Sequence, residues 1–212
     1  ALPAGAPLAL DVDAYMADQR HAGLLILVDG KIRLEKYALG FSAEKRWTSF
    51  SVAKSFTSTL VGAAIKDGYI KSLDDDVTRY IPALKGSAYE GVSVRQLLTM
   101  SSGVRWNEDY QDPSSDVALF NQQAAVAGED VTVTYMKKLP RVAEPGTKWN
   151  YNTGETNLIG VLVSSATDKN LSEYLTEKIW QPYGMESHAM WMLGASGHEI
   201  SGCCISATLR DY

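Results

Sequence analysis

Residues 47–57 constrain this chain most, because they place a serine and a lysine at the start of an apolar helix. Ser51 and Lys54 are three positions apart, so their side chains would lie on one helix face. Apolar residues follow Ser51 at helical spacing: Val52, Phe56, Leu60, Ala63 and Ala64. Lys66 and then Gly68 close the pattern, as is typical of a helix C-terminus. We predict a helix from Ser51 to just before Gly68.

The same stretch suggests chemistry, because a primary amine beside an alcohol can turn serine into a nucleophile. Ser-x-x-Lys occurs by chance about once in a chain of this length, and a second copy is present at Ser42 and Lys45. That copy follows Gly40 in a polar stretch without apolar periodicity, so nothing there would bury or orient its lysine. Helical context therefore selects Ser51 over Ser42.

Composition limits the classes of protein. The 212 residues suffice for one substantial domain or two small ones, and 45% apolar with 21% charged residues is typical of a soluble globular protein. A net charge of −5 argues against a large nucleic-acid interface. No apolar run reaches the ~18 residues of a membrane-spanning helix, and residues 1–7 do not form an intact signal peptide. We leave the compartment open between cytoplasm, periplasm and exterior.

Cysteines and carboxylates give no clear metal or cofactor signal, and we predict neither. Cys203 and Cys204 are neighbours, and a disulfide between neighbours is strained relative to ordinary Cα separations. We therefore expect both thiols to be free and structural. The acidic run Asp74–Asp75–Asp76 is expected to be a solvated helix start, with a metal site as the less favoured alternative.

The order of elements favours an α+β fold. A helix is predicted at residues 9–21, then a buried strand at 23–28, a hairpin turn at Asp29-Gly30 and an alternating strand at 31–37. Later helices are predicted near residues 92–100, 114–126, 131–139 and 171–179. One more is predicted beyond Thr153, with core residues Leu158, Ile159, Val161, Leu162 and Ala166. We expect a single domain, 1–212, whose sheet-containing part comprises 1–69 and 150–212, with a mainly helical lobe at 70–149.

Three stretches together resemble one family. They are residues 51–54 opening a helix, residues 97–103 (Leu-Leu-Thr-Met-Ser-Ser-Gly), and the turn and polar-aromatic segment at 145–153. In this order and spacing they resemble the serine β-lactamase-like superfamily, in its branch of class C β-lactamases, D-alanyl-carboxypeptidases and esterases. Residues 47–55 resemble the 6-aminohexanoate-dimer hydrolases and related carboxylesterases most. The resemblance covers residues 23–212 and implies a β-lactamase/transpeptidase-like fold, with an antiparallel sheet flanked by helices.

The resemblance implies a catalytic set of Ser51, Lys54 and Tyr151. Ser51 Oγ would attack an acyl carbonyl while Lys54 and Tyr151 transfer its proton. A desolvated lysine can lose its proton and act as base, and a charged lysine can instead favour a tyrosine phenolate as base. The sequence leaves both open. The Ser51 backbone amide, at a helix N-terminus, would help to hold the oxyanion.

Four further residues are candidate substrate contacts. Tyr110 and Trp149 are expected as substrate walls, and Asn152 or Thr153 as the polar partner in the site. The family's tyrosine motif usually has asparagine two positions after tyrosine, whereas here Asn152 follows Tyr151 directly. This difference favours an esterase or amidase over β-lactam hydrolysis.

Neighbouring acidic residues are weaker candidates. Glu108 and Asp109 are expected to be solvated loop residues. The alternative is that one of them meets a cationic substrate end.

The chain ends at Tyr212, short of the family's late strands and of its third motif, which contributes one oxyanion-hole amide. We therefore expect a C-terminally truncated fold that a second chain or a further segment completes.

Other hydrolase classes are disfavoured. His21, His188 and His198 could serve a Ser-His-Asp scheme, but no Gly-x-Ser-x-Gly elbow is present, and no zincin spacing either. The main hypothesis is a serine hydrolase acting on a small-molecule ester or linear amide. The alternatives are a D-alanyl-D-amino-acid carboxypeptidase or β-lactamase, and a non-catalytic penicillin-recognition or regulatory protein.

Overall fold

The computed structural model describes residues 11–212, so Leu10 and the expectations for residues 1–7 lie outside it. The described helices are α1 (Val12–Asp18), α2 (Ala53–Lys66), α3 (Val94–Leu98), α4 (Asp116–Gln122), α5 (Val131–Met136), α6 (Thr153–Thr167) and α7 (Leu171–Leu175). The described strands are β1 (Gly23–Val28), β2 (Lys31–Tyr37), β3 (Trp47–Thr48), β4 (Met190–Trp191) and β5 (Ile205–Ala207). Short 3₁₀ turns occur at Phe50–Val52, Val77–Arg79, Pro82–Leu84 and Leu209–Asp211, and a π-helical turn, Thr176–Trp180, follows α7. The predicted α+β class is confirmed.

The chain forms two compact units. One comprises the described residues up to Trp47 with Met185–Ala189 and Ala207–Tyr212, and the other comprises Thr48–Gly184 with Met190–Ser206. The boundaries of these units do not fall at residues 69 and 150. The helical lobe expected at residues 70–149 stays a prediction.

The first unit contains the predicted hairpin. β1 and β2 pair antiparallel, from Gly23 opposite Tyr37 to Val28 opposite Lys31, and Asp29 and Gly30 have φ values of 52° and 70°, as a type I′ turn requires. The prediction that β1 is buried is wrong, because Leu27 is 54% exposed. Among the described strands only β2 pairs with it, so the end of β1 lies open.

The core of the second unit is built around α6, which packs against α2, α3 and α5. Fully buried residues of α6 include Leu158 and Leu162, and Leu60 of α2 is buried likewise. Burying each such leucine contributes roughly 1.5–3 kcal/mol. Helix α2 ends at Lys66 and Gly68 has a φ of 81°, which confirms the predicted helix end.

Small residues let other segments approach α6 closely. A Cβ on Gly160 would lie 1.9 Å from Ser201 Oγ, and one on Gly154 would lie 2.4 Å from Met136 Sδ. The segment that contains Ser201 is therefore seated directly on α6. This contact positions the candidate site described below.

The aspartate run serves local structure. Asp76 caps the Val77–Arg79 turn, Asp75 accepts a hydrogen bond from the Tyr80 hydroxyl at 2.6 Å, and Asp74 pairs with Arg95 at 2.9 Å. Across residues 11–212 no cluster of three or more His, Cys, Asp or Glu side chains is arranged to hold a metal ion. Within the same residues no helix is both long enough and apolar enough to cross a bilayer.

Candidate active site

Ser51 and Lys54 meet where a 3₁₀ turn passes into α2. Ser51 lies exposed in the turn Phe50–Val52, and Lys54 is in the first turn of α2. Lys54 Nζ donates to Ser51 Oγ at 3.0 Å and to the backbone carbonyl of Gly202 at 2.8 Å. The three-residue spacing thus brings amine and alcohol into hydrogen-bond contact, and the distant Gly202 carbonyl orients the amine.

The second Ser-x-x-Lys copy makes no such contact. Ser42 Oγ donates to Glu44 at 2.6 Å, and Lys45 Nζ donates to the Gly40 carbonyl at 2.5 Å. Both groups are in a surface turn and each bonds to a local partner. This copy therefore lacks the amine–alcohol contact that Ser51 and Lys54 make.

The backbone before Ser51 is bent sharply. Phe50 has a φ of 45°, a left-handed conformation that costs a non-glycine residue roughly 1–2 kcal/mol. The Phe50 carbonyl accepts hydrogen bonds from Ser49 Oγ at 3.0 Å and from the Cys204 amide at 3.4 Å, and Ser49 pairs with Ile205 of β5. Strained backbone held by its surroundings is common at functional sites. Here it leaves Ser51 projecting at the surface.

Tyr151 lies beside Lys54. Lys54 Nζ is 5.2 Å from the centroid of the Tyr151 ring, within the distance of cation–π contacts. The preceding Asn150 holds the segment, since its backbone amide donates to the Met100 carbonyl at 3.0 Å and its side chain donates to the Trp106 carbonyl at 3.0 Å. The structure therefore brings the three predicted catalytic residues together.

Asn152 and Thr153 have different surroundings. Asn152 is 1% exposed, and its side chain caps α6 by accepting from the Glu155 amide at 3.0 Å. The prediction that Asn152 contacts substrate is not supported by this placement, because its side-chain oxygen is used in a buried cap. Thr153 donates through both its amide, at 3.0 Å, and its hydroxyl to Glu108.

Glu108 is not the solvated loop residue that we expected. Its half-buried carboxylate accepts from Thr153, from Trp106 Nε1 and from the Tyr110 hydroxyl at 2.8 Å. The carboxylate thus ties the loop of residues 106–110 to the start of α6. Sequence patterns do not reveal this arrangement, because the donors come from two distant segments. Asp109 is exposed, as predicted.

Large apolar side chains are exposed on segments that adjoin the site. Tyr110 and Trp149 are each 67% exposed, and the Trp149 ring is 6.5 Å from the Tyr151 ring. Partial desolvation and the bond to Glu108 raise the pKa of Tyr110 to about 12, so its hydroxyl is a donor at neutral pH. Phe50 is 71% exposed, and sequence analysis missed it. An apolar residue flanking an exposed serine is the signal that could have found it.

A buried carboxylic acid lies in the first turn of α6. Glu155 is 1% exposed, and burial raises its pKa to about 8. Ser102 Oγ donates to Glu155 Oε1, while Oε2 has no hydrogen-bond partner among the described residues. Burial likewise raises the pKa of Tyr89 beside it. The sequence did not reveal Glu155, because a glutamate in a first helical turn is ordinarily solvated.

The two neighbouring cysteines form a disulfide. The prediction of free thiols is therefore wrong, since Cys203 and Cys204 are bonded to each other with Cα atoms 3.7 Å apart. The backbone of Cys204 is left-handed, with a φ of 76°.

The three histidines have hydrogen-bond partners other than Ser51. The His198 ring contacts the Asp130 carboxylate at 2.8 Å, and the His21 ring contacts the Tyr15 hydroxyl at 3.1 Å. The His188 backbone carbonyl accepts from Arg46 Nε.

Comparisons with known proteins identify the family of this chain. The family model for β-lactamase matches residues 8–191. The 6-aminohexanoate-dimer hydrolase of Paenarthrobacter ureafaciens is 29% identical over 205 residues, covering 95% of this chain and 52% of that protein. A solved structure from Bacillus anthracis, assigned as a 6-aminohexanoate-dimer hydrolase, has a TM-score of 0.80 at 22% identity, covering 94% of this chain and 54% of that one. D-alanine carboxypeptidase AmpC from Burkholderia cenocepacia has a TM-score of 0.67 at 18% identity, covering 94% and 59%.

These likenesses confirm the predicted β-lactamase/transpeptidase-like fold. The chain spans about half the length of the 6-aminohexanoate-dimer hydrolase that it resembles. Because the family model matches most of the chain, this chain belongs to the β-lactamase family.

Proposed function

We propose that this chain contains the nucleophilic centre of a serine hydrolase that cleaves an ester or a linear amide through an acyl-enzyme on Ser51. One observation supports this most, namely the 3.0 Å hydrogen bond between Lys54 Nζ and Ser51 Oγ. A serine hydroxyl is a weak nucleophile without a base within about 3 Å. Ser51 is also exposed, so a substrate carbonyl can reach it.

In the proposed reaction Ser51 Oγ attacks the acyl carbon, and its proton passes to Lys54 or Tyr151. The same pair then protonates the leaving alcohol or amine. Water afterwards attacks the acyl-enzyme, with the pair taking and returning a proton in reverse. The position of Lys54 against the Tyr151 ring supports a shared proton-transfer role.

The Ser51 backbone amide, at the N-terminal end of α2, is proposed to donate to the oxyanion, where the helix dipole adds positive potential. We propose that a second chain or a further segment supplies the other oxyanion amide and adds a strand to the sheet of β1 and β2. The exposure of Leu27 in β1, beside which no strand other than β2 lies among the described residues, supports this.

The substrate is proposed to be a small molecule with an apolar acyl part. Phe50, Tyr110 and Trp149 are the proposed walls, because each exposes a large apolar surface. Thr153 is proposed as a polar contact at the site edge. Glu108 is left out as a partner for a cationic substrate end, since its carboxylate already accepts from three side chains and a backbone amide. The P. ureafaciens relative is named for a linear amide substrate, which supports the amide class.

A carboxypeptidase or β-lactamase activity is the second candidate, supported by the fold shared with the B. cenocepacia carboxypeptidase. The burial of Asn152 favours the first candidate, because a buried cap offers no amide to a β-lactam or peptide.

Labelling with a fluorophosphonate and with a fluorescent penicillin tests the proposal. Ser51→Ala is the active-site variant and Ser42→Ala the matched control from the second Ser-x-x-Lys copy. We expect fluorophosphonate labelling in wild type and in S42A, and none in S51A. Equal labelling of wild type and S51A would refute the nucleophile assignment. Hydrolysis of p-nitrophenyl butyrate, nitrocefin and the 6-aminohexanoate dimer then ranks the substrate classes, and labelling by penicillin without hydrolysis of any would favour a recognition protein.

A further inference from the structure

The disulfide between Cys203 and Cys204 lies in a turn that contacts both flanks of Ser51. On one flank, the Gly202 carbonyl accepts from Lys54 Nζ at 2.8 Å. On the other, the Cys204 amide donates to the Phe50 carbonyl at 3.4 Å. Residues 202–204 thus hold the amine that contacts the nucleophile and the strained residue that precedes it. No role in the reaction proposed above accounts for a disulfide here.

Only part of this turn is fixed by the helices beneath it. The Gly202 amide donates to Asn157 Oδ1 at 2.8 Å, and Thr57 Oγ1 donates to the Ser201 carbonyl at 2.8 Å. A Cβ at residue 202 would lie 2.8 Å from Thr153 Cγ2, so glycine is required for this close approach. These contacts fix the turn at Ser201 and at the amide of Gly202, and beyond them Trp191 Nε1 donates to the Cys203 carbonyl at 3.0 Å.

The carbonyl that binds Lys54 belongs to the next peptide plane, the one that joins Gly202 to Cys203. Glycine allows its own backbone angles to vary widely, so the contacts at the Gly202 amide do not set the direction of its carbonyl. That direction is set in the same peptide plane by the Cys203 amide, which donates to the Ile200 carbonyl at 3.1 Å. The disulfide then joins Cys203 to Cys204 in one small ring.

Cys204 has an unfavourable backbone conformation. Its φ of 76° is a left-handed conformation that disfavours residues with a side chain. Closure of the ring offsets that preference, and without the sulfur–sulfur bond the residue is free to return to an ordinary conformation. Its amide would then leave the Phe50 carbonyl.

We propose that Cys203–Cys204 is a redox-sensitive modification site, whose oxidised form holds the Cys204 amide against the carbonyl of Phe50, the residue that precedes the nucleophile. The proposal rests on the function proposed for Ser51 and Lys54. Both cysteines are half-buried, so a small reductant can reach them.

The modification is a thiol–disulfide exchange. A dithiol reductant transfers two electrons and two protons, the Cys203–Cys204 bond breaks to give two thiols, and the reductant becomes a cyclic disulfide. In the reduced protein the Phe50 carbonyl, next to Ser51, loses the Cys204 amide. Because a displacement of about 1 Å at a reacting group can cost on the order of a hundredfold in rate, we expect acylation of Ser51 to slow about ten- to a hundredfold, with KM changed less than twofold.

The test compares oxidised and dithiothreitol-treated protein, with thiols counted by iodoacetamide alkylation and intact mass. The readouts are the rate of fluorophosphonate labelling and kcat for p-nitrophenyl butyrate. We expect two alkylated cysteines after reduction, slower labelling, and recovery of the rate on reoxidation. An unchanged rate in protein shown to hold two thiols would overturn the proposal, as would purified protein whose thiols no mild oxidant closes.

Two double variants separate the bond from the conformation. Cys203→Ser with Cys204→Ser removes the bond, and Cys203→Ser with Cys204→Gly removes it but lets residue 204 adopt a positive φ freely. We expect the first to match reduced wild type and to ignore dithiothreitol, and the second to regain part of the lost rate. Equal rates in both variants and oxidised wild type would contradict the role of the turn.

Hydrogen exchange at the peptide level supplies a readout that does not depend on activity. Reduction is expected to increase exchange in residues 49–54 and 200–206 and to leave exchange of the buried part of α6 unchanged. If oxidised wild type shows no Ser51-dependent labelling, the proposed function fails, and this exchange difference still decides the inference. Identical exchange in both redox states would overturn it.

Discussion

The two Ser-x-x-Lys copies in this chain have the same local pattern and different surroundings. Ser42 and Lys45 lie in a turn and bond to Glu44 and Gly40 nearby. Ser51 and Lys54 bond to each other, and Lys54 also bonds to a carbonyl 148 residues away. The difference shows that the four-residue pattern allows the contact, while a helix start and a distant acceptor make it occur.

The largest difference is expected from removing each lysine. Lys54→Ala should lower kcat/KM for p-nitrophenyl butyrate by about 10²–10⁴-fold, since a positioned proton-transfer group contributes that much. Lys45→Ala should leave kcat/KM within about twofold. Steady-state kinetics of both variants decide this, and similar losses in the two would remove the distinction between the copies.

Tyr151 has no counterpart at the Ser42 copy, so it tests what completes the site. Tyr151→Phe keeps the ring that faces Lys54 and removes the hydroxyl. We expect kcat to fall about 10²-fold, with the thermal midpoint nearly unchanged. Near-normal kcat would exclude the hydroxyl from proton transfer.

Glu155 is a buried acid in the unit that contains Ser51, whereas Glu44, the acid at the Ser42 copy, is exposed. The folded protein holds a proton on Glu155 up to pH about 8, since burial raises its pKa from 4.5 to about 8. The unfolded chain releases that proton near pH 4.5. The associated stability is therefore present below pH about 4.5 and is lost as the pH rises towards 8, at no more than about 1.4 kcal/mol per pH unit.

Urea unfolding between pH 5 and 8 checks this dependence. Glu155→Gln should flatten the fall of unfolding free energy with pH relative to wild type. The exposed Glu144→Gln is the control and should keep the wild-type slope. Parallel slopes for E155Q and wild type would contradict a protonated Glu155.

The smallest expected effect concerns backbone strain, which occurs near both copies. Leu39 and Phe50 have φ values of 53° and 45°, and both side chains are exposed. Replacing either by glycine should relieve strain and stabilise the protein by up to about 1 kcal/mol, as measured by urea unfolding. Only Phe50→Gly should also raise KM, because Phe50 is a proposed substrate wall. A similar KM increase in Leu39→Gly would show a general effect of stability.

Local features of the fold could be predicted from the sequence. The Asp29-Gly30 turn, the end of α2 before Gly68 and the contact between Ser51 and Lys54 depend on residues within a few positions of each other. Their geometry follows from turn chemistry and helical spacing. The resemblance placed Tyr151 in the same site across a hundred residues, which local physics alone could not do.

Contacts between distant segments could not be predicted. The acceptor at Gly202, the donors that surround Glu108 and the burial of Glu155 depend on how α6 packs, and side-chain type does not reveal it. The cysteine prediction failed for a related reason. It assumed an ordinary backbone, whereas Cys204 has a positive φ.

The most direct test of the central claim maps the covalent adduct by peptide mass spectrometry after limiting fluorophosphonate treatment of wild-type protein. Both copies are present in one molecule, so each serine serves as the control for the other. The account predicts an adduct on the peptide that contains Ser51 and an unmodified peptide for Ser42. An adduct on Ser42, or on neither serine, would contradict it.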